Sequence, residues 1–168
     1  MISPYLEWHP QIADHVFVAD SADVIGRVHI GADASIWHQS VLRGDVEEII
    51  IGKRSNIQDH CTLHTSHGAT PCIVGDDATV GHRVILHGCE IGEFCLVGMG
   101  SIVMDRAVLE TGCLLAAGSL VTEGKILRSG YLYAGSPARE RRELTVAEKD
   151  FLRHSAAHYV ELARAHQS

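Results

Sequence analysis

A six-residue step constrains this chain more than any other feature. Counting from Ile12 by sixes gives Val18, Val24, Ile30, Ile36 and Leu42. After three extra residues the step resumes at Ile51, Ile57 and Leu63, and after five more at Val74, Val80 and Leu86. One residue is then dropped, and Ile91, Val97, Val103, Leu109, Leu115 and Val121 follow unbroken. All eighteen positions hold Ile, Val or Leu, a run that chance does not produce, and it ends near Val121. A period of six matches neither the helical 3.6 nor a long alternating strand. It matches short strands separated by corners and wound as a coil.

Side chains alternate along a strand, so the residue two before each step position faces the same way. Thirteen of those eighteen are Ala, Ser or Cys, among them Ala22, Ala34, Ser55, Ala78 and all five cysteines: Cys61, Cys72, Cys89, Cys95 and Cys113. Each face thus sends one branched aliphatic and one small residue inward, and three faces make a prism of eighteen residues per coil. The cysteines read as core packing rather than metal or redox groups. Composition agrees: 46% hydrophobic with only 5% aromatic residues, and sixteen glycines, several next to the corners. The pattern resembles the hexapeptide repeat of left-handed parallel β-helices, an all-β fold, and the handedness is implied by that resemblance.

The period changes at Leu144. Thr145 with Glu148 forms a capping box, and Phe151, Leu152, Ala156, Tyr159, Leu162 and Ala163 line one helical face. The expected organisation is a β-helix over residues 1–138 and a C-terminal segment, 139–168, whose helix packs on the prism. A length of 168 residues suits one domain. The net charge of -7 argues against a nucleic-acid partner, which needs a basic face. No stretch approaches the roughly 20 apolar residues of a membrane span. Without a signal pattern, and with an odd number of cysteines, the chain reads as cytoplasmic.

The candidate site follows from counting faces. Ile51 and Val74 belong to a first face, Ile57 and Val80 to a second, and Leu42, Leu63 and Leu86 to a third. Arg43, His64 and His87 follow the third-face aliphatics and point outward, and all three breaks in the repeat fall at that edge. Residues stacked on adjacent rungs stand about 4.8 Å apart. His64 and His87 can therefore share a metal, because Zn–N bonds of about 2.0–2.1 Å bring ligand nitrogens close together. His82 lies on the second face, in one column with Asp59 and His38, and points from a different corner. It can join the pair if a neighbouring copy presents it, and three prisms in a closed ring are the simplest such assembly. The expectation is a homotrimer with its metal shared between subunits.

These residues are similar to the γ-class carbonic anhydrase family, whose members are trimeric left-handed β-helices. The resemblance spans nearly the whole chain. It is carried by VLRGD at Val41 to Asp45, SNIQD at Ser55 to Asp59, TLH at Thr62 to His64 and VGHRVILHG at Val80 to Gly88, with a looser GSPAR at Gly135 to Arg139. It implies metal ligands at His64, His82 and His87, with His82 from the adjacent subunit. It also implies that Gln58 stands beside the metal-bound solvent, that Arg43 and Asp45 pair at the subunit interface, and that Asp59 is a site carboxylate. Tyr159 corresponds to a tyrosine of the C-terminal helix that faces the pocket. Two features depart from the founding archaeal branch: Thr65 to Cys72 carries no acid, and Val46 follows Asp45. The proton-shuttling glutamates of that branch are therefore missing.

The expected chemistry is reversible hydration of CO2 to bicarbonate. Zn2+ is the expected cofactor, although Fe2+ or Co2+ also suits an all-imidazole site. Gln58 would orient the hydroxide, and a solvent chain or His67 would remove the proton. The rival readings are a hexapeptide acyltransferase, a thioester hydrolase and a catalytically silent metal-binding trimer.

Overall fold

Seven short parallel strands stack on the second face, from Phe17–Val18 through Ser35–Ile36, Asn56–Ile57, Thr79–Val80, Leu96–Val97 and Leu114–Leu115 to Tyr131–Ala134. This computed structural model describes residues 1–68 and 70–167. Ala69 and Ser168 lie outside the described residues. The ladders set Ile36 against Ile57, Ile57 against Val80, Val80 against Val97 and Val97 against Leu115. The six-residue step is thus the physical register of a parallel β-helix, with each rung one coil above the last. The register also runs two steps past Val121, to Leu127 and Tyr133, both buried. At Tyr133 a tyrosine fills the place of the aliphatic, so the sequence pattern breaks before the coil does.

Inside the prism the step residues are sealed from water: Ile36, Leu42, Ile51, Ile57, Leu63, Leu86, Ile91 and Leu109 are fully buried or nearly so. Burial of each such side chain stabilises the fold by about 1.5–3 kcal/mol. The small positions Ala22, Ala34, Cys61, Cys72, Ala78 and Cys113 are equally buried, and all five cysteines are free thiols. Burial pushes the Cys61 thiol up to about 12.

The third and first faces form one twelve-stranded sheet, because Asp23–Ile30 and Val41–Ile51 cross the corner between them without breaking. The first irregularity in the repeat is therefore a bent strand rather than a loop. Gly44 makes the bend possible, since a Cβ there would run into the main chain of Arg27. The second irregularity is a loop after His64, and the third a tight turn at Gly88.

Chain exit is by Arg139–Glu143, which returns antiparallel to Tyr131–Ala134. Helix α1, Val146–Gln167, then lies along the second face. Its capping box is formed: the Glu148 amide donates to Thr145 Oγ1 at 3.2 Å, and Thr145 N donates to Glu148 Oε2 at 2.9 Å. Leu152, Ala156 and Ala163 are buried, and Tyr159 and Leu162 pack against the core. Phe151 differs from expectation. It is 57% exposed, because it stands over an open groove beside the prism instead of against it. Arg164 with Asp33 and Gln167 with the Val16 carbonyl tie the far end of the helix to the first coils. Among the described residues, no helix is long and apolar enough to cross a membrane.

Candidate metal centre

The eight residues singled out from the sequence fall into two groups at two corners of the prism. Arg43, Asp45, His64 and His87 gather where the third face meets the first. Gln58, Asp59, His82 and Tyr159 gather where the second face meets the third.

At the first corner, the ladder sets His64 directly against His87, with Leu63 against Leu86 beneath them. His64 Nδ1 stands 3.2 Å from His87 Nε2. The far nitrogen of each ring meets a carboxylate: His64 Nε2 lies 3.0 Å from Asp45 Oδ1, and His87 Nδ1 lies 3.0 Å from Asp105 Oδ1. An ionised carboxylate only accepts, so each neutral ring carries its proton on that far nitrogen. The two facing nitrogens are then both bare lone pairs. Arg43 Nη1 donates to Asp45 Oδ2 at 2.5 Å. Burial opposes ionisation of Asp45, but hydrogen bonds from Arg43 and His64 outweigh it and hold the carboxyl below its usual range. Asp45 thus stays an anion, as its role toward His64 requires.

Asp105 was not legible as a site residue. It sits two residues after Val103 on the coil beyond His87, whereas Arg43, His64 and His87 each stand one residue after a third-face aliphatic. Gly88 opens its path, because a Cβ there would collide with the Asp105 carboxylate.

At the second corner, His82 repeats the same arrangement. Its Nδ1 lies 2.8 Å from Asp59 Oδ2, and the side chain is nearly half exposed. A neutral ring that donates through Nδ1 keeps the lone pair of Nε2 for a metal. His38, one rung below Asp59 in the same column, is hydrogen-bonded to Ser21 Oγ as a surface histidine. Gln58 is buried beside them, and its Nε2 donates to Asn56 Oδ1 at 3.0 Å. Tyr159 stacks edge-on against Trp37, with ring centres 5.5 Å apart. Burial, reinforced by Asp59, pushes its phenol up, so it remains neutral and able to donate. Gln58, Thr79 and Tyr159 line one wall of a groove of about 420 Å³ that runs past Met99 to Phe151.

Two imidazoles 3.2 Å apart with both lone pairs turned inward fit a zinc-type cation, whose Zn–N bonds are about 2.0–2.1 Å. The carboxylate behind each ring is the usual outer support of a metal-bound histidine. Among the described residues, no group of three or more His, Cys, Asp or Glu side chains within the single chain is arranged to hold a metal ion. The third histidine stands at the other corner.

A parallel β-helix of six-residue steps places the chain in the hexapeptide-repeat class. A putative acetyltransferase from Bacillus cereus superposes with a TM-score of 0.96 at 44% identity, over 98% of this chain and 95% of the other. No family model matches, but curated relatives do. The chain is 54% identical over 145 residues to the carbonic anhydrase of Geobacillus kaustophilus, covering 86% of this chain and 79% of that one. It is 47% identical over 166 residues to protein YrdA of Escherichia coli, covering 95% and 90%. To γ carbonic anhydrase 1, mitochondrial, of Arabidopsis thaliana it is 42% identical over 162 residues, which is 94% of this chain and 59% of that relative. This chain belongs to the γ-class carbonic anhydrase family.

Proposed function

We propose that this protein is a metal-dependent carbonic anhydrase that interconverts CO2 and bicarbonate as a homotrimer. The observation that carries the reading is the 3.2 Å approach of His64 Nδ1 to His87 Nε2, with a carboxylate 3.0 Å behind each ring. His64 and His87 would hold the metal with His82 of a neighbouring copy. When bound, zinc supplies the Lewis acidity that makes hydroxide available near neutral pH, and iron or cobalt suits the same imidazoles.

The chain's own groups do the rest. Asp45, Asp59 and Asp105 fix the tautomers of the three histidines. Arg43 holds Asp45 in place, and Gln58 orients the attacking water with its amide. Tyr159 offers a neutral hydroxyl on the same wall. The exposed His67 or solvent takes the proton away.

The trimer is supported by the outer surface between the two corners, where Ile85 and Met104 are exposed beside the less exposed Val41, Ile102 and Leu120. An apolar face of this kind is covered when prisms pack side by side. Five free, buried cysteines fit a reducing compartment such as the cytoplasm.

One observation favours a second reading. The groove along Gln58 and Tyr159 is larger than CO2 requires and is lined by Leu96, Met99, Leu114 and Phe151. That shape suits an acyl chain, as in acyl transfer or thioester hydrolysis, and a Bacillus cereus neighbour is named a putative acetyltransferase. Stopped-flow CO2 hydration by zinc- and iron-loaded protein, beside acetyl-CoA consumption by metal-stripped protein, decides between them. Metal-dependent hydration supports the proposal. Acyl turnover without metal, and no hydration, overturns it.

A further inference from the structure

What Gln58 does depends on which end of its amide faces the site. The answer is fixed two residues away, at Asn56. Asn56 is fully buried, and its Nδ2 lies 3.4 Å from the Ala78 carbonyl oxygen and 3.0 Å from Thr79 Oγ1. A carbonyl oxygen only accepts, so the amino end of Asn56 belongs there and its Oδ1 turns towards Gln58. Gln58 answers by donating through Nε2 at 3.0 Å, which leaves its Oε1 directed away from Asn56. In this polarity the Thr79 hydroxyl accepts from Asn56 and must place its own proton elsewhere. Ser155 of helix α1 stands ready, with its Oγ 3.0 Å from Thr79 Oγ1.

We propose that Thr79 and Ser155 are positioning residues that lock the Gln58 amide through Asn56, so that the seat of helix α1 sets the polarity of the glutamine. The physical reason lies in the alternative state. Without Ser155, the observed polarity strands the proton of Thr79, a residue only 3% exposed. The reversed polarity lets Thr79 donate to Asn56 instead, but it turns Asn56 Oδ1 towards the Ala78 carbonyl oxygen, which already accepts from the Asn56 main-chain amide at 3.0 Å. Ser155 and that carbonyl together keep the reversed state from competing. The inference rests on the proposed reading for what Gln58 orients, but not for how Gln58 is held.

The test reads the side-chain amide protons of Gln58 and Asn56 by NMR in the metal-free protein, then hydration by the loaded protein. In the wild type, Gln58 Nε2 should exchange with solvent about tenfold more slowly than a free glutamine amide, as expected for one buried hydrogen bond. Ser155→Ala should erase that protection and lower kcat/KM for CO2 about five- to tenfold with metal content unchanged, and Ser155→Thr, which keeps the hydroxyl, should restore both. Thr79→Val has no proton to strand and none to give Asn56, so it should keep the protection. Unchanged Gln58 protection in a folded Ser155→Ala overturns the inference. An inactive wild type with protection lost in Ser155→Ala would sustain the inference and refute the hydration reading alone.

Discussion

His64 Nδ1 and His87 Nε2 face each other at 3.2 Å, while Asp45 and Asp105 each lie 3.0 Å from the far nitrogen of its ring. A neutral ring that donates to its carboxylate turns a lone pair towards the other ring, and a cation seated between the two takes both. His64→Ala or His87→Ala should therefore abolish stoichiometric zinc binding. The fold should survive, since both side chains point away from the core. Binding should also weaken in acid, because protonated imidazole cannot ligate. Metal analysis after dialysis at graded pH checks both points, and full metal content in either variant would contradict the assignment.

In the proposed centre Asp105 would act through His87, whose Nδ1 it meets at 3.0 Å. Asp105→Ala should leave His87 free to rotate or change tautomer, and lower metal affinity about 10- to 100-fold. Gly88→Ala should reach the same end by another route, pushing the carboxylate aside and straining a turn whose φ is +51°. Competition with a chromophoric chelator measures both. Wild-type affinity in Asp105→Ala would remove Asp105 from the centre.

The fold was legible because packing repeats: each coil needs one aliphatic and one small residue per face, and the spacing survives in one dimension. The histidine column was legible for the same reason, since His64 and His87 take identical places on successive coils. Asp105 was hidden because it comes from the next coil at a different offset. Asn56 and Thr79 were hidden because each occupies an ordinary outward strand position, and only the helix laid over that face buries them. Phe151 was misread because helical periodicity gives the inward direction but not how far the neighbouring surface extends.

The cysteines test the packing argument. Ala78 and Ala107 already fill equivalent inward places, so Cys61→Ala, Cys89→Ala or Cys113→Ala should keep the metal and cost about 1 kcal/mol. Native Cys61 should resist alkylation at pH 8.5, because burial holds its thiol protonated up to about 12. In the unfolded chain a thiol ionises near 8.5. The native state therefore binds the extra proton, and stability contributed by Cys61 should be lost as pH rises from about 9 towards 12. Denaturant midpoints of wild type and Cys61→Ala should converge and then cross within that window. A cysteine variant that empties the metal site would contradict the packing role.

In the proposed trimer, corners of two neighbouring copies make one centre, and mixed trimers of defective subunits test this. A His82→Ala subunit keeps intact His64 and His87, and a His64→Ala subunit keeps intact His82. Neither homotrimer can assemble a complete site, but an interface between the two variants can. After co-refolding, with subunit exchange verified by native mass spectrometry, zinc binding should return at a fraction of interfaces, with hydration activity in proportion. Verified mixed trimers that bind no more zinc than their parents, at any mixing ratio, would contradict the shared centre.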